Sequence, residues 1–289
     1  MEIISGLNQK IRHSCDVEIH PYLRDHHLEG KVILPAVEIL IIMAGIVKTN
    51  FPPINISCLL KARFFRFLSI LPDTQKRTVF VDMETAGDGT VVASLLTSIK
   101  SKTGPISRSV EHTRVEFTAA DYSPSSAPPF YVVKKLKGKC ISVPATAVYT
   151  DLVPFGTAYQ NITGDLSVSP EGAWAYLSGG NNEADENLLG SPFPLDAALH
   201  AACVWGQRFA DMVAFPAGFE KRLIYQKTKK GETYIGRVVP VNVKHNSLIF
   251  DAWIYDLNGA VRESISGIQM RDVSQGKMRP PDWIRADSG

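Results

Sequence analysis

Directly after Pro35 the chain runs Ala36-Val37-Glu38-Ile39-Leu40-Ile41-Ile42-Met43-Ala44-Gly45-Ile46-Val47, in which Glu38 is the only charge. A helix with this sequence has no polar face to turn to water, so it belongs inside the molecule with a sheet wrapped round it. The run is too short to cross a bilayer, which takes about 20 apolar residues. Pro35 suits the first helical position, and no Ser, Thr, Asp or Asn stands just before it to cap the free amides. The helix start is therefore open, and it follows closely on His26-His27-Leu28-Glu29-Gly30. Free N–H groups at the positive end of a helix dipole can hold a developing oxyanion while a neighbouring imidazole takes a proton.

The flanking sequence supplies the sheet. Cys15-Asp16-Val17-Glu18-Ile19-His20 alternates polar and apolar as a half-buried strand does. Phe51-Pro52-Pro53 ends the helix, and residues 59–71, 77–84, 91–100 and 114–118 are rich in β-branched and aromatic side chains. Gly87-Asp88-Gly89 marks a hairpin turn. Residues 121–130, with Ser123-Pro124-Ser125-Ser126-Ala127-Pro128-Pro129, read as a linker. Beyond it the grammar repeats: strands up to Leu177, a polar loop at 179–183, a helix over 195–212, and strands over 222–273 with a hairpin at Asn258-Gly259. This order predicts an α+β chain of two fused copies of one unit, residues 1–120 and 131–289, joined by 121–130.

The second helix carries a narrow polar stripe, Asp196, His200, Gln207 and Asp211. At 100° per residue these fall within about 60° of one another. Such a stripe suits a solvent-facing edge as readily as a site, although the alanines and Cys203 around it leave little else that is polar.

With 45% hydrophobic residues in 289, the chain can bury a large core. Its net charge of +2 offers no field for nucleic acid or a membrane surface. The short basic clusters at 134–139 and 227–230 read as solvated turns, or as contacts for an acidic carrier protein. Four cysteines without a CxxC pair point to a reducing compartment. The first residues, Met1-Glu2-Ile3-Ile4-Ser5-Gly6, lack the pattern of an export signal, so a cytoplasmic location is expected. His13, Cys15, His20, His26 and His27 crowd one stretch, but their spacing fits no familiar zinc pattern. His112 and His245 read as ordinary sheet residues. No cofactor is implied.

Three motifs resemble those of the dehydratase domains of polyketide synthases and polyunsaturated fatty acid synthases, which are double hotdog folds. His20-Pro21-Tyr22-Leu23-Arg24-Asp25-His26, with Gly30 and Pro35, is similar to the pattern HPxLxDHxxxGxxxxP. Asp196-Ala197-Ala198-Leu199-His200 is similar to DxxxQ/H of the second hotdog, and Phe155-Gly156-Thr157-Ala158-Tyr159-Gln160 to the segment YGPxFQ. Three residues depart from the family: Ala36 stands where glycine is usual after the proline, Phe155 replaces tyrosine and Thr157 replaces proline.

The resemblance implies a hydro-lyase that removes water from a 3-hydroxyacyl thioester, carried by acyl carrier protein or coenzyme A, in polyketide or fatty acid biosynthesis. It implies His26 as the base, Asp196 as the acid and His200 as its orienting partner. Gly30 is expected as the amide donor to the thioester oxygen, near the helix start at Pro35, and Phe155, Gly156 and Tyr159 are expected to line the substrate. Whether Asp196 is protonated is open, since burial favours that and a helix start opposes it. A hotdog isomerase, a product-template-like cyclase, a thioesterase and a non-catalytic acyl-binding hotdog are the alternatives, and a monomer or loose dimer is expected.

Overall fold

The computed structural model describes residues 10–100, 107–118, 127–181, 187–244 and 246–285. The first half contains β1 (Lys10–Glu18), β2 (His27–Leu28), β3 (Lys31–Val32), α1 (Ala36–Asn50), β4 (Asn55–Phe64), β5 (Lys76–Thr85), β6 (Val91–Lys100) and β7 (Ser107–Thr118). The second contains α2 (Phe130–Val133), β8 (Ile141–Pro144), α3 (Ala145–Ala147), β9 (Ile162–Ser169), β10 (Gly172–Ser178), α4 (Phe193–Ala210), β11 (Phe215–Ile224), β12 (Thr233–Lys244), β13 (Ser247–Asp256) and β14 (Val261–Arg271).

Strands β1-β5-β6-β7-β4 form one half of a sheet that continues, through the pairing of β4 with β11, into β11-β14-β13-β12-β10-β9-β8. At this seam Arg63 pairs with Gly218 and Leu59 with Arg222, antiparallel like the rest. Gly218 is required there, because a Cβ would stand 2.1 Å from the Ala62 carbonyl oxygen. Each half wraps one long helix, α1 against β4, β5 and β6, and α4 against β9, β10, β12 and β13, while the two helices also touch each other. Two hotdogs thus share one sheet.

The apolar run becomes α1 as its composition requires, with Leu40, Met43, Ala44 and Val47 fully enclosed. Pro35 is its N-cap rather than its first residue, and no side chain caps it. The second helix starts at Phe193, two residues before the expected position, and ends where Asp211 turns left-handed, at φ 48°. Its alanines at 197, 198, 201 and 202 are buried and let the sheet come close. The polar stripe does not face solvent: Asp196, His200 and Gln207 are buried, and Gln207 Nε2 donates to the Leu152 carbonyl at 3.0 Å. Asp211 lies past the helix end and is exposed.

Both expected hairpins form, with Asp88 accepting from Thr90 N–H and Asp256 from Asn258 N–H. Strand β7 begins well before the expected Arg114. His112, within β7, is buried and bonded to Thr97 and to the Arg66 carbonyl. The linker expected at 121–130 falls mostly outside the described residues, and its last residue opens α2. His245 and residues 182–183 of the polar loop also lie outside them. No helix among the described residues is long and apolar enough to cross a membrane.

Candidate active site

The motif around His26 is a sequence of tight turns. Residues Pro21–Asp25 form one 3₁₀ turn, after which β2 and β3 pair His27 with Val32 and Leu28 with Lys31. The two residues between them, Glu29 and Gly30, have φ of 48° and 74°, the left-handed pair that a two-residue hairpin demands. This hairpin brings Ile33 back beside His26. Ile33 N–H donates to the His26 carbonyl at 2.9 Å, and His26 Nδ1 lies 2.9 Å from the Ile33 carbonyl oxygen. A carbonyl only accepts, so Nδ1 carries the proton and Nε2 keeps the lone pair.

Gly30 itself is at the exposed tip of the hairpin and is not among the residues lining the cavity beside His26. The expected amide donor is therefore displaced from the site, and the glycine's physical role is the turn that sets His26 against Ile33. Pro35 is likewise absent from the lining, whereas Ala36, the first residue of α1, is part of it. The first amides bonded within α1 are those of Glu38 and Ile39, both to the Pro35 carbonyl. A helix start has no internal acceptor for the amides before them.

A cavity of about 560 Å³ runs between the two halves and is lined by both His26 and Asp196. His200, Phe155, Leu199 and Cys203 line it as well. Phe155 stands between the imidazoles, with ring centroids 4.3 Å from His26 and 5.1 Å from His200. Tyr159 meets His26 edge-on at 5.1 Å but is wholly buried behind it and does not line the cavity. Gly156 also lies behind the wall: a Cβ there would stand 2.5 Å from Asp25 Cγ, and its N–H donates to the Asp25 carbonyl at 2.7 Å. Asp25 further accepts from Ala158 N–H at 2.9 Å. The segment 155–160 is thus strapped to the residue preceding His26.

Asp196 and His200 stand one turn apart on α4, with Oδ2 and Nε2 3.0 Å apart and both side chains buried. The ring N–H is not aimed along that line, so neither atom has a well-aligned hydrogen-bond partner, and the contact is a close ion-pair contact. At the other side of the ring, Nδ1 is 3.4 Å from the Tyr149 hydroxyl, whose oxygen accepts from Ile162 N–H at 2.7 Å. Tyr149 has one hydrogen to offer, and in the neutral imidazole it goes to Nδ1, which leaves the ring proton on Nε2, the nitrogen on the Asp196 side.

The electrostatics differ between the two halves. His26 opens one edge on the cavity yet lies deep among protein atoms, and this burial, with the charges of His200 and His27, holds its pKa below the ordinary value against the pull of Asp196 and the Ile33 bond. It is neutral at neutral pH. For Asp196, burial works upward, but the charge and proximity of His200 and the charge of His26 outweigh it, and its pKa stands below the usual carboxylate range. Proton occupancy belongs to the Asp196–His200 pair rather than to either member.

Sequence reasoning missed Tyr149, Tyr22 and Cys203. Tyr22 lies inside the first motif, but Tyr149 belongs to no pattern; it reaches His200 because α3 and the π turn Val148–Leu152 bring it there. At the cavity mouth Arg66, Arg271, Phe65 and Phe67 are exposed, and they join the lining only in three dimensions.

Residues 143–280 match the family model described as polyketide synthase dehydratase N-terminal domain. Among solved structures, the chain is similar to the dehydratase domain from the CurJ module of the curacin polyketide synthase, at 14% identity over 92% of this chain and 93% of that chain, with a TM-score of 0.72. It is similar to a trans-AT polyketide synthase dehydratase domain from Brevibacillus brevis, at 18% identity over 91% and 94%, TM-score 0.71. A bifunctional dehydratase-cyclase domain in ambruticin biosynthesis aligns at 17% identity over 91% and 92%, TM-score 0.69. No curated protein sequence matches the chain. The family model thus lies on the second half, and over more than nine-tenths of its length the chain has the double hotdog fold of these dehydratase domains.

Proposed function

We propose that this chain eliminates water from a 3-hydroxyacyl thioester to give a 2-enoyl thioester, with His26 as the base and the Asp196–His200 pair as the proton donor. The observation that carries this reading is that His26 and Asp196, from different halves of the chain, line one cavity. Neutral His26 takes the α-proton on Nε2. The Cα–H electrons form the double bond as the Cβ–O bond breaks, and the pair supplies a proton to the departing oxygen, which leaves as water. Proton transfer from His26 to the pair then restores the starting state. The open amides at the start of α1, beside Ala36, are suited to the thioester oxygen as it gains charge.

The Asp196–His200 pair has a specific task in this scheme. A carboxylate beside a neutral imidazole has no acidic proton to give, so the donor state is the pair with one proton more, either a protonated Asp196 beside neutral His200 or an imidazolium beside the carboxylate, across the 3.0 Å contact. The cavity mouth, with exposed Arg66 and Arg271 and the apolar rings of Phe65 and Phe67, suits a phosphopantetheine arm presented by an acyl carrier protein. The four cysteines are free, which suits a reducing compartment.

The test is mass spectrometry of a panel of 3-hydroxyacyl thioesters incubated with the protein, scoring water loss, double-bond migration and hydrolysis separately. Water loss is expected to dominate, and His26→Ala to reduce it by about 10² to 10⁴. A His26→Ala protein that dehydrates at the normal rate would refute the reading.

A further inference from the structure

Glu38 has no part in the scheme above, and nothing about an apolar helix calls for it. It is 7% exposed, in the first turn of α1. Tyr22 donates its hydroxyl to Glu38 Oε1 at 3.2 Å. The Tyr159 hydroxyl, wholly buried, is close enough to stabilise the same carboxylate, although no aligned bond fixes it. The two rings are 6.4 Å apart, and Tyr159 is the ring that stands edge-on to His26. From the other half Asp196 acts on Glu38 through its charge. Three groups therefore face this carboxyl: Tyr22 from the 3₁₀ turn, Tyr159 from the segment after Gly156, and Asp196 from α4.

The family segment YGPxFQ begins with a tyrosine and has phenylalanine fifth; here Phe155 leads and Tyr159 is fifth. The hydroxyl has moved from a ring that lines the cavity to one behind it, where Glu38 is the acceptor within reach. A buried carboxyl is costly to keep unless it is hydrogen-bonded, and the Tyr22 hydroxyl offsets part of that cost.

We infer that Glu38 is a positioning residue for His26: its carboxyl accepts from the Tyr22 hydroxyl, and the Tyr22 ring so held supports the Tyr159 ring that stands edge-on to His26. It does not line the cavity, so it acts through these neighbours. Burial pushes Glu38 up to about 7, which places its change of charge within the working range.

This inference rests on the proposed dehydration only for its rate readout. In this protein, Glu38→Gln should lower kcat about tenfold, with KM changed much less, and alter the pH profile of kcat near 7, where Glu38 titrates. Tyr22→Phe should reproduce the loss in kcat, and adding it to Glu38→Gln should cost nothing further. The ring resonances of His26 in NMR should shift in both variants. Unchanged kcat, pH profile and His26 resonances in Glu38→Gln would overturn the inference. If that variant does not fold, Tyr22→Phe decides the matter, since it keeps its ring, and wild-type behaviour in it would overturn the inference. Absence of water loss in the wild type would instead defeat the proposed reaction, and the His26 resonances would still decide the role of Glu38.

Discussion

Asp196 Oδ2 and His200 Nε2 are 3.0 Å apart on consecutive turns of α4, and neither has a well-aligned partner elsewhere. Two buried polar atoms left in this state are costly in a structural core, and they are what a site needs if a hydroxyl is to bind beside them. Asp196→Asn should therefore lower the dehydration rate by about 10² to 10⁴ while thioester binding survives. Because His26 is on the other half and untouched, the variant should still exchange the substrate α-hydrogen with deuterated solvent, and His26→Ala should not. Exchange that persists in His26→Ala would assign the base elsewhere.

Gly156 packs its Cα hydrogen where any side chain would strike Asp25, with a Cβ-to-Cγ distance of 2.5 Å. Gly156→Ala should cost about 1–3 kcal/mol in stability, the usual range for overpacking a tight site. It should also reduce activity beyond that, since the displaced segment carries Phe155, the ring between His26 and His200. Denaturant unfolding together with kcat/KM reads both effects. A variant with wild-type stability would show that the strap is slack.

The apolar run, the two hairpins and the repeated order of sheet and helix were legible because each depends on local composition. Asp196 and His200 were legible as a pair because four residues make one helical turn. Their direction was not, since a polar stripe looks the same from sequence whether it faces water or a cavity. Gly30 shows the converse limit: its spacing in the motif was clear, but its work is to turn β2 into β3 and seat His26 on Ile33, which only the backbone angles reveal. Tyr149 gave no local signal because its contact with His200 spans 51 positions.

Glu38 makes stability depend on pH in a direction opposite to most carboxylates. Its pKa is raised from 4.5 to about 7 by burial, so the folded state holds the proton more tightly than the unfolded chain. The stabilisation is fully present below about pH 4.5 and is lost as pH rises through about 7. Relative to Glu38→Gln, the wild type should lose about 3 kcal/mol across that window. The comparison is made by urea unfolding of both proteins at several pH values, and a difference that stays constant from pH 4.5 to 8 would place Glu38 in a site that does not resist its charge.

The cavity mouth offers a last test, because it separates recognition of the carrier arm from the chemistry behind it. Arg66 and Arg271 line the cavity from opposite halves and are exposed, so their attraction for a phosphate is screened by salt. Each such contact at an exposed site contributes about 0.2–1 kcal/mol. The double substitution Arg66→Ala with Arg271→Ala should therefore raise KM about two- to thirtyfold for a phosphopantetheine thioester at low ionic strength. The change should shrink as salt is added, and kcat should hold. A truncated thioester without the phosphate should show the same KM in both proteins. Equal losses for the phosphorylated and truncated substrates would mean that the arginines support the mouth of the cavity rather than the arm that enters it.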